Sequence, residues 1–414
     1  MNGHRPGRGL PDVVITGIGM VTPAGADTGT SWKTLCAGRS AGAPDPRLAD
    51  LQVGFSCAVP GFDAELLLGT DSRRMDPFTQ FAIVAARAAV ADAGLGEGSW
   101  DVSRVGVVLG TGIGGQGTWE EQGGRLRDRG PRAVNPLTVP RAIGNIAAGS
   151  VAIDLGLHGP SLTLSTACAA GTTALGFALD LLRADRCDVV LAGGTEAAVT
   201  PLVVTAFDRL KALSRRSDDP VSASRPFDEH RDGFVLGEGS AVLVLERARD
   251  AAARGRRAYA RLLGYGAASD AHHLTAPDPD GRWAEVALRA ALEDAGTSPA
   301  DIALVNAHAT STPQGDAVEA RLIERVLGQD TAVTSTKGVT GHMLGAAGAV
   351  EAACTALSIA DGVIPPTANF EAPGPDTGGI DIVHGTARHV PVPVAVSNSF
   401  GFGGHNAAVV LGGV

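Results

Sequence analysis

Short apolar runs alternate with longer amphipathic stretches along most of the chain. The short runs are bounded by glycine and polar turn formers, as in buried strands, and the longer stretches repeat apolar residues at helical spacing. The predicted strands are residues 13–16, 105–109, the run that ends before Cys168, 189–192, 241–245, 259–263, 302–306, 332–335, 394–397 and 407–411. The predicted helices are residues 75–93, the stretch after Cys168, 283–295, 316–327 and 344–357. This alternation predicts a layered α/β fold.

The order of predicted elements repeats, which suggests two similar halves, residues 11–250 and 251–414. A short motif supports the repetition. Ser165-Thr166 is followed by four residues and Gly171, and Ser335-Thr336 is followed by four residues and Gly341. Each motif closes a predicted strand and opens a helix, so we expect a duplicated unit.

The composition indicates a folded protein with a large core, since 44% of the 414 residues are hydrophobic and 19% are charged. A net charge of −10 argues against nucleic acid as the main partner. The five cysteines show no zinc-like spacing and predict a reducing compartment without disulfides. Because we find no run of about 20 apolar residues, we expect no membrane partner and a cytoplasmic location.

Two glycine-rich stretches are partial matches to a dinucleotide-binding turn. They are Gly17 to Thr22 and Gly110 to Gly115, each following a predicted strand. Such glycines let a backbone approach a pyrophosphate at a helix N-terminus, but a single partial match is a weak signal. A tight structural turn is the alternative interpretation. The next segment, residues 116–130, is charged and does not resemble a strand that ends in a ribose-binding acid.

Cys168 lies between an apolar run, which we expect to be a buried strand, and a helix whose apolar residues recur at helical spacing. Small residues crowd the turn between them. A thiol at a helix N-terminus is favoured as a thiolate, and its own backbone N–H can serve in an oxyanion hole. A small buried core cysteine is the alternative interpretation of the same residue.

Two histidines and a glycine loop also follow predicted strands. They are His308, His342 and the loop 397–406. Because the crevice of an open α/β sheet lies beyond the carboxyl ends of its strands, we expect these groups and Cys168 to converge. A zinc site would need a further ligand at suitable spacing, which we do not find near Cys168, so we predict no metal. A cysteine hydrolase remains open. Two histidines at separate strand ends also suit a thioester carbonyl that becomes an enolate as CO2 leaves.

Five motifs, spread along the chain, resemble those of a known family. They are Thr166-Ala167-Cys168, residues 224–228, residues 231–239, residues 305–313, and residues 336–348 with His342. In this order the chain resembles the β-ketoacyl-ACP synthases, condensing enzymes of the thiolase-fold family, nearly from end to end. The resemblance implies duplicated βαβαβαββ halves in a layered α-β-α-β-α arrangement, and it makes the N-terminal glycine turns part of the fold.

The resemblance also implies a decarboxylative Claisen condensation. Cys168 holds the acyl chain, and His308 and His342 bind the malonyl thioester carbonyl. Lys337 orients the second histidine with Glu351 as its ion partner, and Phe400 is both the gate and the second oxyanion-hole donor.

Further residues and partners follow from the same resemblance. The implied substrate-binding residues are Ile113, at the pocket floor near a dimer partner, Thr310, Thr312 and Phe402. The implied docking residues for an acidic acyl-carrier protein are Arg73, Arg74, Arg209 and Lys211. No cofactor is implied, because the phosphopantetheine arrives on the carrier.

The sequence departs from the bacterial fatty acid enzymes at Gly338-Val339 and at Ala170. Together with the Ala, Arg and Gly bias, this keeps open the ketosynthase subunit of a type II polyketide synthase. The assembly is then either a homodimer or a heterodimer with a chain-length-factor subunit. An NAD(P)-dependent ketoacyl reductase is a further alternative, from the same pathway.

Overall fold

A computed structural model describes residues 10–96 and 98–414. Its strands are β1 (Val13–Val21), β2 (Ala43–Pro44), β3 (Phe55–Ser56), β4 (Val105–Gly110), β5 (Ser161–Leu164), β6 (Val189–Glu196), β7 (Gly239–Arg247), β8 (Ala260–Ser269), β9 (Leu304–Asn306), β10 (Ala332–Thr334), β11 (Val363–Ile364), β12 (Asp381–Ile382), β13 (Arg388–His389), β14 (Val394–Gly401) and β15 (His405–Gly412). Its helices are α1 (Thr28–Cys36), α2 (Ala64–Leu68), α3 (Pro77–Asp92), α4 (Gln116–Arg129), α5 (Thr138–Ala142), α6 (Ile146–Leu155), α7 (Ala170–Arg183), α8 (Pro201–Arg209), α9 (Ala248–Ala253), α10 (Arg282–Ala295), α11 (Pro313–Leu327), α12 (Lys337–Thr340) and α13 (Ala347–Asp361).

Within the described residues, the main sheet has 11 strands in the order β12-β10-β9-β14-β15-β8-β1-β7-β6-β4-β5. It contains the same unit twice. In both β5-β4-β6-β7-β1 and β10-β9-β14-β15-β8 the first three strands are parallel and the last two pairings are antiparallel. The units join where β1 pairs with β8. The predicted duplication is therefore confirmed, and β5 and β10, which precede the two repeated motifs, occupy equivalent positions.

Helices cover the sheet in layers. The largest apolar cluster surrounds α7 and α13, which lie between the two units. A second cluster packs α3 and α6 on the outside of the first unit, and a third packs α10 and α11 on the outside of the second. This is the predicted α-β-α-β-α arrangement. We propose that the predicted halves, 11–250 and 251–414, correspond to these two units.

One segment, Leu344–Asp361, is long and apolar enough to cross a membrane by composition alone. It contains α13, in which every residue from Ala347 to Ser358 is buried. Because 83% of this segment is buried inside the protein, it has the position of a core helix.

Two local predictions were wrong. The strand before Cys168 was expected to be buried, but β5 is the edge of the sheet and Leu162 is 37% exposed. The chain was expected to turn at Gly17 and Gly19, but β1 continues to Val21. These glycines serve packing instead, since an added Cβ would lie 2.1 Å from Ala89 O at Gly17.

Candidate active site

Cys168 lies in a strained turn between β5 and α7. A 3-10 turn, Ala167–Ala169, leads directly into the helix. The backbone of Ala167 has φ +49°, a conformation that costs free energy in a residue with a side chain. The turn places Cys168 at the helix N-terminus, as predicted, with 8% of the residue exposed.

The thiol of Cys168 is not favoured as a thiolate in this state. Burial raises the pKa of the thiol to about 12, and Glu196 acts in the same direction. The backbone N–H of Phe402, Lys337 and the N–H of Cys168 itself lower the pKa, but less than burial raises it. The predicted thiolate is therefore wrong for the resting site, and the sulfur has to lose its proton as it reacts.

His308 follows β9 and is held through its backbone. The N–H groups of His308 and Ala309 donate to the carboxylate of Glu319 on α11, at 2.9 Å and 2.7 Å. The side-chain amide of Asn398 donates to the same carboxylate at 3.2 Å. Burial raises the pKa of Glu319 to about 7, although these donors oppose the shift. The loop that carries His308 is thus fixed by an acid that sequence reasoning did not single out.

His342 follows α12 and Gly341, whose φ is +63°. Its ring centroid lies 5.3 Å from that of His308 and 5.4 Å from that of Phe234, both edge to face. Burial lowers the pKa of both histidines well below 6.5, and the nearby Lys337 lowers each further. The site therefore holds two uncharged imidazoles side by side.

Lys337 lies under the histidines, and only 1% of its side chain is exposed. Its ammonium group pairs with the equally buried carboxylate of Glu351 on α13. The predicted ion pair is present in the structure. It gives the buried lysine a compensating charge, which a charge in such surroundings requires.

The glycine loop brings Phe402, and not Phe400, to the nucleophile. Phe400 lies within β14, pairs with Asn406 of β15 and packs against His308 at 5.7 Å between ring centroids. Phe402 lies in the turn between these strands, and its backbone N–H lowers the pKa of the Cys168 thiol. The assignment of Phe400 as the second oxyanion donor is corrected, because the backbone N–H that lowers the pKa of the Cys168 thiol belongs to Phe402. The assignment of Phe400 as the gate stays a prediction, since strand pairing fixes its backbone and not its ring.

One cavity of about 350 Å³ joins these groups. Cys168, His308, His342, Phe400 and Phe402 line it. Thr310 and Thr312 also line it, with their hydroxyl oxygens 3.1 Å apart. Phe207 and Leu344 are among the apolar side chains that line it. The predicted convergence at the strand ends is thus present in the structure.

Ile113 does not line this cavity and is 39% exposed. Its turn is held by the buried carboxylate of Glu196, at the end of β6. The carboxylate accepts the N–H groups of Gly112, Ile113, Gly114 and Gly345 at 2.6, 3.2, 3.3 and 3.0 Å. A nucleotide phosphate would need these same donors, so the nucleotide interpretation of this turn is wrong.

The predicted docking residues fall into two groups. Lys211 lines the cavity just after Arg209, the last residue of α8. Arg73 pairs with Glu65 at 2.7 Å, and Arg74 pairs with Asp71 at 3.6 Å. Both arginines lie in the last turn of a short 3-10 helix, Gly69–Arg74, that precedes α3.

Sequence reasoning missed Glu196 and Glu319. A signal was present in each case: a carboxylate in an otherwise apolar strand, and a carboxylate on the buried face of a predicted helix. Within residues 10–96 and 98–414, no group of three or more His, Cys, Asp and Glu side chains could hold a metal ion.

Comparison with known proteins agrees with this geometry. Models of the β-ketoacyl synthase N-terminal and C-terminal domains match residues 11–251 and 259–371. A 3-oxoacyl-(acyl-carrier-protein) synthase 2 of Synechocystis sp. is 45% identical over 405 residues, 96% of this chain and 97% of the relative.

Two solved structures share the fold. A β-ketoacyl synthase from Burkholderia phymatum superposes with TM-score 0.92 at 34% identity, covering 98% of this chain and 100% of that one. The ishigamide ketosynthase/chain length factor superposes with TM-score 0.92 at 33% identity, with the same coverage of 98% and 100%. With the cavity, the nucleophile and the paired histidines in place, the chain belongs to the β-ketoacyl synthase family of condensing acyltransferases, which need no free cofactor.

Proposed function

We propose that this chain takes an acyl group from an acyl-carrier protein onto Cys168 and condenses it with a malonyl group held on a second carrier. The observation that supports this most is that Cys168, His308 and His342 share one cavity, with both histidines uncharged. In the first step the sulfur of Cys168 attacks the acyl thioester and loses its proton, and the carrier thiol leaves with a proton. The N–H groups of Cys168 and Phe402 bind the oxyanion that forms in between.

Decarboxylation follows in the same cavity. Neutral His308 and His342 each donate one hydrogen bond to the malonyl thioester carbonyl. As the C–C bond to the carboxylate breaks and CO2 leaves, the electron pair moves toward this oxygen and forms an enolate. Donors that strengthen as charge develops lower the barrier, whereas charged imidazolium groups would bind the malonyl carboxylate instead and hold it back. Burial keeps both imidazoles neutral, and the positive charge of Lys337 acts in the same direction.

Carbon–carbon bond formation completes the cycle. The enolate carbon attacks the carbonyl of the acyl-Cys168 thioester, and the oxyanion again lies between the N–H groups of Cys168 and Phe402. The intermediate collapses, the C–S bond breaks, and β-ketoacyl carrier protein leaves. Cys168 takes up one proton and returns to its resting thiol. We propose Phe402 as the side chain that moves to admit substrate, since Gly401, Gly403 and Gly404 flank it.

Intact-protein mass spectrometry tests this scheme. The protein is mixed with a panel of acyl-carrier proteins, and malonyl-carrier protein is then added. We expect a mass gain equal to the acyl group, lost on malonyl addition with release of β-ketoacyl carrier protein. Cys168→Ala should show no gain. A mass gain that persists in Cys168→Ala would refute the assignment of Cys168 as the nucleophile.

The carrier's approach is proposed to involve the basic residues at the cavity mouth, because carrier proteins of this kind are acidic. Lys211 lines the cavity and has φ +57°, so the backbone turns sharply there. We expect Lys211→Glu to raise KM for acyl-carrier protein and to leave the rate with small acyl thioesters unchanged. Equal losses with both substrates would contradict a docking role. Arg73 and Arg74 are weaker candidates, since each already has an acidic partner.

The assembly is proposed to be a dimer formed on the face around β5. Apolar side chains are exposed there and on the helices beside it, including Trp119 at 45%, Val139 at 53% and Leu162 at 37%. A second copy of the chain is one partner that fits. A chain-length-factor subunit is the other, and the similarity to the ishigamide ketosynthase/chain length factor favours keeping it as the second candidate.

Fatty acid elongation is the proposed pathway for the homodimer and polyketide synthesis for the heterodimer. Purification of the chain alone separates them. Full condensing activity by the single chain supports the first, and activity only with an added partner subunit supports the second. We also propose a cytoplasmic location, in keeping with soluble carrier substrates.

A further inference from the structure

The motif 231–239 that the sequence singled out takes no part in the chemistry above, yet its backbone grips His342. The N–H of His342 donates to the carbonyl of Val235 at 2.8 Å, and the N–H of Gly237 donates to the carbonyl of His342 at 3.0 Å. Both backbone groups of the histidine are thus bound by one short stretch. We call residues 234–238 the gripping segment.

These two backbone hydrogen bonds matter because few other contacts orient the ring of His342. Its Nδ1 has no hydrogen-bond partner among the described residues. The ring instead packs edge to face on Phe234, which belongs to the same gripping segment, and on His308. The position of the imidazole therefore depends on where residues 234–238 lie.

The gripping segment is in turn fixed by an ion pair at its end. The carboxylate of Glu238 is bound by Arg47 through both oxygens, with Nη1 at 2.9 Å and Nη2 at 3.1 Å. Asp45 holds the other edge of the same guanidinium, with Oδ1 at 3.0 Å from Nε. Ser56 donates to Asp45 at 2.6 Å. Such two-pronged pairs fix geometry as well as charge.

The segment also packs tightly against the turn before His342. An added Cβ at Gly341 would lie 2.7 Å from Val235 O, and one at Gly237 would lie 2.6 Å from Thr340 O. The backbones of residues 235–237 and 340–341 are therefore in close contact. A shift of residues 237–238 would therefore be passed to the backbone of His342.

We propose that the Arg47–Glu238 pair is a positioning device for His342, which it holds in place through the gripping segment. Neither residue lines the cavity, so neither touches substrate. The inference rests on the proposed function, in which His342 serves decarboxylation and Cys168 serves acyl transfer. Loss of the ion pair should then slow decarboxylation and leave acyl transfer to Cys168 unchanged.

The test measures the two steps separately in purified full-length protein. Cys168 acylation is followed by intact mass, and malonyl-carrier decarboxylation by CO2 release. We expect Arg47→Ala and Glu238→Gln each to lower kcat for decarboxylation about tenfold, because misplacing a catalytic group by a fraction of an ångström is costly. The acylation rate and the KM for malonyl-carrier protein should stay unchanged. The double variant should be no slower than either single one, as expected of residues that act as a unit.

Two further variants keep the result interpretable. Arg47→Lys retains the positive charge but cannot form the two-pronged hydrogen bonds to Glu238. Its kcat for decarboxylation should lie between those of wild type and Arg47→Ala. Because the Arg47 side chain is 44% exposed, this change should leave the fold intact. Glu246→Gln is the matched control, since Glu246 is a buried acid paired with Arg254 at 2.7 Å and lines no part of the cavity. It should lower the unfolding temperature and leave both steps of the folded enzyme unchanged.

The inference is overturned if both steps fall in proportion, or if decarboxylation by Arg47→Lys and Glu238→Gln equals that of wild type. A wild-type protein that acylates Cys168 but never releases CO2 would refute the proposed function itself, and the inference with it. Wild-type activity with unaffected variants would refute the positioning role alone.

Discussion

At the scale of single residues, burial holds the reacting groups uncharged before substrate arrives. It raises the pKa of the Cys168 thiol to about 12 and lowers the pKa of His308 and His342 well below 6.5. The charged groups nearby, Lys337 and Glu351, form an ion pair with each other. Negative charge therefore develops only during reaction, at oxygens that face fixed N–H donors, which is where preorganised dipoles are most effective.

The neutral histidines predict the pH dependence of decarboxylation. A histidine of ordinary pKa would become charged near pH 6.5, but these two stay neutral well below it. We expect kcat for malonyl decarboxylation to show no loss centred at pH 6.5 as the pH is lowered from about 8 to about 6. A profile that falls by half at pH 6.5 would show that the imidazoles are charged there.

The same shift has a consequence for stability with a definite sign. Below pH 6.5 the unfolded chain binds protons on these two histidines and the folded chain does not. Their contribution to the free energy of unfolding is therefore complete above pH 6.5 and declines as the pH falls. Urea unfolding should show this decline in wild type. The double variant His308→Asn/His342→Asn should show less of it, although Glu319 still titrates in both proteins.

At Gly401 the glycine loop around Phe402 comes very close to the turn that carries Cys168. An added Cβ would lie 2.7 Å from Thr166 O and 3.1 Å from Cys168 N. We expect Gly401→Ala to slow acylation of Cys168 about 100-fold by displacing the loop from the turn. Gly123→Ala, at a position in α4 with no atom within 4 Å of the added Cβ, is the control and should acylate at the wild-type rate. Equal rates for both variants would contradict the close approach.

At the scale of elements, a strand end and two loops are joined by one carboxylate. Glu196 ends β6, and its oxygens accept N–H groups from the turn 112–114 after β4 and from Gly345 before α13. That turn lies beside Cys168, and the segment 344–346 lies beside His342. Glu196 thus fixes the spacing between the first unit, which supplies the nucleophile, and the second, which supplies the histidines.

Removal of this acceptor should be costly. Glu196→Ala leaves buried N–H groups without a partner, and we expect a loss of about 3 kcal/mol in the free energy of unfolding, measured by urea denaturation. Glu121→Ala, whose side chain is 45% exposed on α4, should change it by less than about 0.5 kcal/mol. A loss in Glu196→Ala no larger than in the control would show that water replaces the carboxylate.

What the sequence could predict is set by how local each signal is. The strand-turn-helix around Cys168 and the strand end before His308 follow from patterns within a few residues, and the structure has them. His342 was also expected directly after a strand, but the short helix α12 separates it from β10. The edge position of β5 depends on which strands pair, and the contacts of Glu196 and Glu319 join segments far apart in the chain. Phe400 and Phe402 sit two residues apart in one glycine loop, and only the strand register shows that Phe400 lies within β14 and Phe402 in the turn after it.

At the scale of the whole molecule, the exposed strand β5 marks the proposed dimer face. Sheet edges carry unpaired backbone groups and are usually covered. We expect Leu162→Arg to change the mass measured by light scattering from that of two chains to that of one, because it places a charge in the interface. Leu66→Arg, at an 82% exposed position on α2, should leave the dimer intact. A dimer that survives Leu162→Arg would place the interface elsewhere.

The position of β15 has a consequence for how the chain is made. Every other strand of the main sheet precedes β15 in the sequence, yet β15 lies between β14 and β8, at the centre of the sheet. Without β15, one edge of β14 and one edge of β8 would be left without their partner strand. A chain truncated shortly before residue 405 would thus be aggregation-prone, and chaperones or proteases would have to handle it.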